Sequence, residues 1–152
     1  MKCEGYSKDT KLIWFKEYSL PELEFFTKQT GLVKLLGITI SAIGADYLCA
    51  SMEVTADLLQ IHGIMHGGAT CVLVETVGSF ASRMCLDPEQ QYSVGSFIHV
   101  NHLRPIENGI VIATCKPVHL GRQKHVWDID VNAAGNDKLI AKGELTCAVL
   151  NR

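Results

Sequence analysis

HGGATCVLVETVGSFAS, residues 66–82, decides the fold of this chain because it is long, apolar and periodic. At 3.6 residues per turn, Leu73, Val77 and Phe80 recur on one face, which is the pattern of a helix that packs against a core. The spacing therefore predicts a central helix over about residues 68–85.

The opposite face of this predicted helix carries one carboxylate, Glu75. Between Gly67 and Ser82, Glu75 is the only ionisable side chain apart from thiols. A solvated helix face would ordinarily carry several charged residues, so these surroundings favour a functional role. A carboxylate in such surroundings is typical of general bases and carboxylate nucleophiles. The small residues on its side of the helix, which leave room for a ligand or another backbone, are Gly68, Cys71, Gly78, Ser79 and Ser82.

The predicted helix begins at the tripeptide His66-Gly67-Gly68, where backbone N–H groups lack intrahelical partners. Without a Cβ in the way, a carbonyl oxygen could approach these donors and be polarised as in an oxyanion hole. Gly67 lies eight residues before Glu75, about 12 Å along a helix, so one helix could not present both to one small substrate. We expect a site shared between two subunits, with Gly67 from one and Glu75 from the other.

The remaining sequence predicts short elements around this helix. Residues 19–31, SLPELEFFTKQTG, predict an amphipathic helix over about residues 20–30, and residues 37–54 predict a β-hairpin. After Pro88, four strand candidates lie at residues 94–105, 109–120, 124–132 and 139–150. We expect an α+β fold, with a hairpin and a four-stranded antiparallel meander forming one sheet around the central helix, in a single domain over residues 1–152.

Composition excludes several classes of function. A net charge of −2 without a cluster of basic residues argues against nucleic acid and anionic membranes as partners. No segment is long and apolar enough for a membrane span, and six scattered cysteines without a CxxC pair favour a reduced, cytoplasmic protein. Hydrophobic content of 47% is compatible with an oligomer that buries apolar surface between subunits.

Two alternative chemistries use residues near the predicted site. His62 and His66 have metal-ligand spacing, but the glycines around them disfavour a helix and no third ligand is suitably spaced, so no metal site is predicted. Cys71 could be a nucleophile, yet it lacks a local histidine partner and is expected to pack as a small apolar residue.

The pattern Q60-IHGIM-H66-G67-G68-ATCVLV-E75-TVG-S79, followed by VNHLRP and KPVHLGRQKHVWDIDV, resembles the hotdog-fold thioesterases. Within them it is similar to the PaaI-like group, with the 4-hydroxybenzoyl-CoA thioesterases of the Glu-nucleophile type and the enterobactin and menaquinone pathway thioesterases. The resemblance runs from about Leu32 to Leu150. It implies a hotdog fold, a homodimer that completes the active site within a homotetramer, and hydrolysis of an acyl- or aroyl-CoA thioester without a metal or other cofactor.

The resemblance also implies residue roles. Glu75 matches the catalytic carboxylate, acting as nucleophile or as base toward water, and Gly67 matches the residue whose N–H polarises the thioester carbonyl. Gln60 and His66 match the pair that orients the thioester and the glycine loop. Ser79 matches the residue that positions the hydrolytic water.

Other matches concern binding of coenzyme A. Gly68 belongs to the glycine loop, His102 matches a position near the thiol arm, and Arg104 and Arg122 fall where basic side chains could meet phosphates. The sequence does not determine the identity of the acyl group, although the resemblance favours an aroyl-CoA. It also does not determine whether the thiol carrier is coenzyme A or an acyl-carrier protein. Two other functions are a non-catalytic acyl-CoA sensor, which would not require the carboxylate, and a hydratase, which would need a different acid–base pair.

Overall fold

The computed structural model describes residues 11–29 and 31–152. Two short helices precede the sheet, and one long helix interrupts it after the second strand. The elements are α1 (Leu20–Gln29), α2 (Gly31–Leu35), β1 (Thr39–Ile43), β2 (Leu48–Val54), a 3₁₀ turn (Ala56–Leu58), α3 (Gly67–Met84), β3 (Gln91–His102), β4 (Gly109–Leu120), β5 (Lys124–Ala133) and β6 (Leu139–Asn151).

The long helix α3 spans Gly67–Met84, where the sequence predicts a helix over about residues 68–85. It begins after His66, whose side chain accepts a hydrogen bond from the Gly68 N–H and so pairs one of the free donors of the first turn. Among the described residues, no helix is long and apolar enough to cross a membrane.

The six strands form one antiparallel sheet in the order β1-β2-β4-β5-β6-β3. The predicted four-stranded meander is therefore wrong in one place, because β3 pairs with β6 at the sheet edge and does not neighbour β4. The reason lies in long-range pairing, since β3 pairs with the last strand of the chain, β6, and β4 and β5 lie between β2 and β6 in the sheet. Its connection to β4 runs past the start of β6, where the N–H groups of Leu103 and Arg104 donate to the Ile140 carbonyl.

The core lies between α3 and the concave face of the sheet. Leu73, Val74 and Val77 of α3 are fully buried against sheet residues such as Ile129 and Leu145. Burying a side chain of this size contributes about 1.5–3 kcal/mol, so these contacts hold α3 firmly in place.

Part of the small-residue side of α3 also packs on the sheet and does not leave room for a ligand. A Cβ at Gly78 would lie 2.5 Å from a methyl group of Leu145, and one at Gly143 would lie 2.8 Å from a methyl group of Val74. Ser82 is fully buried as well. The small residues thus serve close helix–sheet packing toward the end of α3, and the space for chemistry is confined to the part nearer Glu75.

Candidate active site

The loop before α3 is a closed turn that places Gln60. Leu59 and Met65 form an isolated antiparallel bridge, and the Gln60 N–H donates to the Ile64 carbonyl at 2.9 Å. The Gln60 side-chain oxygen accepts from the His62 N–H at 2.8 Å. Gly63 adopts a φ of +74° inside this turn, a conformation that glycine accommodates without strain. These bonds fix the half-buried Gln60 in the loop that leads into α3.

The start of α3 is held by His66 and opens at Gly67. The His66 N–H donates to the Leu58 carbonyl and its Nδ1 accepts from the Gly68 N–H, both at 2.8 Å. The Gly68 donor is thus already paired within the chain. Gly67 occupies the first helical position, where a backbone N–H has no intrahelical partner, so this donor suits an incoming carbonyl oxygen better than that of Gly68.

Gly67 lines a cleft of about 440 Å³ together with Gln60, His102 and Arg104. The His102 ring rests against Gly67, since a Cβ at that position would lie 2.8 Å from its Nε2. Arg104 donates to the Leu139 carbonyl at 2.8 Å while remaining exposed. Four of the candidate residues therefore meet in one cleft at the N-terminal end of α3.

Glu75 lies outside that cleft, half-buried in the middle of α3. The Ser79 hydroxyl, one turn later, donates to its Oε1 at 3.1 Å. On the other side, the carboxylate lies directly against Gly95 of β3, where any Cβ would collide with it. The half-buried Glu75 carboxylate therefore has Ser79 of α3 on one side and Gly95 of β3 on the other.

Gly95 is a site residue that the sequence analysis missed. A glycine within a strand weakens it and often marks a bulge or a close approach of another group. Here both apply, because the register shifts between Gly95 and Phe97 and the carboxylate fills the space. The isolated glycine in VGSF, residues 94–97, is the feature of the sequence that could have predicted this close contact.

Beneath the carboxylate, Cys147 of β6 pairs with Gly95 across the strands. Burial raises the pKa of the Cys147 thiol, the Ser82 hydroxyl lowers it, Glu75 raises it further and Ser79 lowers it. Burial also raises the pKa of Cys71, which argues against a thiolate nucleophile there at neutral pH.

Arg122 lies in a third place, apart from both groups. It lines a polar surface groove of about 1230 Å³ with Lys124, Arg152 and His119 of the same chain and an acidic neighbour, Glu89. One protomer therefore brings together Gln60, Gly67, His102 and Arg104, and separately Glu75 and Ser79. Within residues 11–29 and 31–152, no group of three or more histidine, cysteine or carboxylate side chains could hold a metal ion.

Comparison with known proteins agrees with this architecture. Residues 62–140 match the family model of the thioesterase superfamily. The 1,4-dihydroxy-2-naphthoyl-CoA hydrolase of Escherichia coli K12 is 37% identical over 139 residues, covering 91% of this chain and all of that protein (100%).

Solved structures agree as well. A thioesterase from Haemophilus influenzae superposes with a TM-score of 0.86 at 39% identity, covering 91% of this chain and 95% of the other. A mutant thioesterase from Pseudomonas aeruginosa superposes with a TM-score of 0.87 at 37% identity, covering 92% of this chain and 99% of the other. The chain belongs to the thioesterase superfamily, with the hotdog fold of these enzymes, and it is a thioester hydrolase.

Proposed function

We propose that this enzyme hydrolyses an acyl- or aroyl-CoA thioester to the free acid and coenzyme A, with Glu75 as the reacting carboxylate. The observation that carries the proposal is the Glu75 carboxylate, which accepts a hydrogen bond from Ser79 and lies against Gly95. The CoA thioester named for the Escherichia coli relative supports this class of substrate, and an aromatic acyl group in particular.

Two routes are open to the carboxylate. As a nucleophile, Glu75 attacks the thioester carbonyl carbon, the C–S bond breaks, and water then hydrolyses the resulting anhydride. As a general base, it takes a proton from water while the hydroxide attacks the same carbon. In either route the coenzyme A sulfur leaves as a thiolate and acquires a proton, and Ser79 orients the attacking water.

The N-terminal end of α3, which the other protomer contributes to the shared site, activates the electrophile. The Gly67 N–H donates to the thioester oxygen, and the positive end of the helix dipole stabilises the negative charge that develops there. Gln60 orients the thioester from its closed turn, and His66 holds the glycine loop through its bond to the Gly68 N–H. His102 guides the thiol arm across Gly67.

We propose that two protomers complete each site. β3 lies at the sheet edge and exposes the apolar side chains of Tyr92, Val94, Phe97 and Ile98. An edge strand of this kind is prone to pair with another strand. Along β3, Gly95 lies against Glu75 and His102 lies against Gly67. Antiparallel pairing of two β3 strands would therefore bring Gly95 of one protomer toward the partner's His102.

Further association into a homotetramer follows the family resemblance. Arg104 in the cleft and Arg122 in the polar groove are proposed to bind the phosphates of coenzyme A, and Gly68, whose N–H donates to His66, shapes the glycine loop. We place the enzyme in the cytoplasm, because the cysteines among the described residues are free thiols.

The first experiment measures thiol release from benzoyl-, hydroxynaphthoyl- and straight-chain acyl-CoA by wild type and Glu75→Gln. We expect wild-type turnover of at least one substrate and a loss of about 10³-fold or more in kcat for Glu75→Gln, with a smaller change in KM. Near-normal hydrolysis by Glu75→Gln would refute the role of the carboxylate. Silence from wild type with CoA esters still bound would favour a sensor.

A second experiment tests whether the site is shared. Glu75→Gln and Gln60→Ala chains are co-expressed with different tags, and the mixed dimers are purified. If Gln60 and Glu75 of one site come from different protomers, each mixed dimer contains one intact site, so it should recover about half of the wild-type rate. If both come from one protomer, every site is damaged and the mixed dimer is no faster than the mean of its parents.

A further inference from the structure

The small-residue side of α3 crosses three neighbouring strands of the sheet. Glu75 lies against Gly95 of β3, and a Cβ at Gly78 would lie 2.5 Å from a side-chain methyl group of β6. One turn later, Trp127 of β5 donates its indole N–H to the Ser82 hydroxyl oxygen at 2.6 Å. Because β5, β6 and β3 are adjacent in the sheet, this side of the helix runs diagonally from the edge strand inward.

The contact at β5 differs in kind from the apolar packing of α3. Leu73, Val74 and Val77 are fully buried, but apolar burial has no direction, so it holds the helix on the sheet without fixing its rotation. The bond between Trp127 and Ser82 is directional, and both residues are fully buried. Breaking it would leave the indole N–H without a partner in the core, which is costly. A buried polar contact of this kind selects one arrangement of the helix among similar packings.

The Trp127 indole is itself held in one orientation by two other rings. Trp14 stacks on it, with 6.4 Å between ring centroids and 12° between planes, and His125 meets it edge-on at 6.3 Å and 83°. The Trp14 N–H in turn donates to the Gly44 carbonyl, in the turn between β1 and β2, at 2.6 Å. The segment that precedes α1 therefore fixes the plane of the indole that bonds to Ser82.

The rotation of α3 at Ser82 determines the position of Glu75. Ser82 follows Glu75 by seven residues, so the two side chains point within about 20° of each other and lie about 10.5 Å apart along the axis. A rotation that lengthens the bond to Trp127 would move the carboxylate relative to Gly95, against which it lies. A misplacement of about 1 Å can cost about 10²-fold in rate.

We propose that Trp127 is a positioning residue, which fixes the rotation of α3 through its hydrogen bond with Ser82 and so holds the Glu75 carboxylate beside Gly95. Trp14 supports it by holding the indole plane. The effect of this contact on catalysis rests on the proposed function of Glu75, whereas its effect on the position of the carboxylate does not.

Kinetics separate positioning from packing through three variants. Ser82→Ala removes the acceptor, and Trp127→Phe removes the donor but keeps an aromatic ring for Trp14. Ile129→Ala is the matched control, because Ile129 is fully buried on the same face of β5 and its side chain makes no hydrogen bond. We expect the first two variants to lose about tenfold in kcat with KM within about twofold. Ile129→Ala should lower the melting temperature at least as much and keep its kcat.

Three kinetic outcomes would overturn the proposal. One is a wild-type kcat in Ser82→Ala and Trp127→Phe, and another is an equal loss of kcat in Ile129→Ala, which would assign the effect to general loosening of the core. The third comes from the double variant of Ser82 and Trp127. Both substitutions remove the same bond, so the double variant should be about as fast as the slower single variant, and independent, multiplicative losses would contradict this. If Ser82→Ala does not fold, Trp127→Phe and Ile129→Ala still decide between the first two outcomes.

Carbon NMR of labelled glutamate side chains tests the positioning without turnover. The carboxyl signal of Glu75 is assigned by its absence in Glu75→Gln. We expect this signal to shift in Ser82→Ala and in Trp127→Phe and to stay in place in Ile129→Ala. An unshifted signal would refute the positioning even in variants with reduced kcat. A shifted signal together with full hydrolysis by Glu75→Gln would instead retain the positioning and refute the proposed function.

Discussion

The start and the middle of α3 differ in the space around their functional groups. At the start, Gly67 opens onto a cleft, and the His102 ring rests against it. In the middle, the half-buried Glu75 carboxylate lies against Gly95 of β3 and accepts a hydrogen bond from Ser79. A backbone donor needs open space in front of it to receive a carbonyl, whereas a carboxylate needs neighbours that fix its orientation. One helix meets both needs, but at positions too far apart along its axis for a single small substrate.

In each region a glycine makes room for a neighbouring side chain, and that side chain differs between the two regions. The missing Cβ at Gly67 makes room for the His102 ring, and the missing Cβ at Gly95 makes room for the Glu75 carboxylate. Both glycines therefore create space for a functional side chain. Gly143 has a contrasting role, because the space above it is filled by Val74 of the core.

Among the substitutions that test this comparison, Gly95→Ala, beside the Glu75 carboxylate, has the largest expected effect. The added methyl group would displace the Glu75 carboxylate, so we expect a loss of about 10²-fold in kcat while the fold is retained. Thiol-release kinetics and the melting temperature measure the two effects separately. The matched control is Gly143→Ala, which should lower the melting temperature through overpacking and keep kcat per folded molecule. If Gly95→Ala instead lowers the melting temperature and keeps its kcat, Gly95 is only a packing glycine.

A smaller effect is expected at the open region from Gly67→Ala. Its Cβ would lie 2.8 Å from the His102 Nε2, so the ring must move and the cleft narrows. We expect kcat/KM to fall about tenfold, because the backbone donor itself remains. In a His102→Ala background the same substitution should cost much less, since the colliding ring is absent. Equal losses in both backgrounds would mean that the methyl group blocks the substrate directly.

The smallest expected effect concerns the stability of the fold in acid, through His125. His125 of β5 pairs across the strands with Cys147, is 4% exposed, and its Nδ1 has no hydrogen-bond partner among the described residues. Burial lowers the pKa of His125 below its usual 6.5, and the neighbouring His119 lowers it further. The unfolded chain therefore binds this proton more readily than the folded protein does, so stability should decline as the pH falls below about 6.5.

The test compares the melting temperatures of wild type and His125→Gln at about pH 7.5 and about pH 5.5. Glutamine lacks the titrating ring, so the fall in melting temperature on acidification should be smaller in the variant. An equal fall in both proteins would assign the acid sensitivity to other groups.

Much of this architecture could be predicted from local pattern. The apolar period of α3, the glycines at its start and the alternation in β5 and β6 are short-range signals, and the structure has those elements in place. The strand order could not be predicted in this way. Whether β3 pairs with β4 or β6 depends on contacts between residues about 50 apart, which a strand's own alternation does not encode.

The sequence by itself determined the helix, its one carboxylate and the glycine start, because helical period and backbone freedom are properties of neighbouring residues. Only the tertiary structure decided that Gly95 lies against Glu75, and that Gly67 and Glu75 belong to separate regions of one protomer. These relations arise when β3 and β6 pair beneath α3, and that pairing is set by the burial of a shared core rather than by any local pattern.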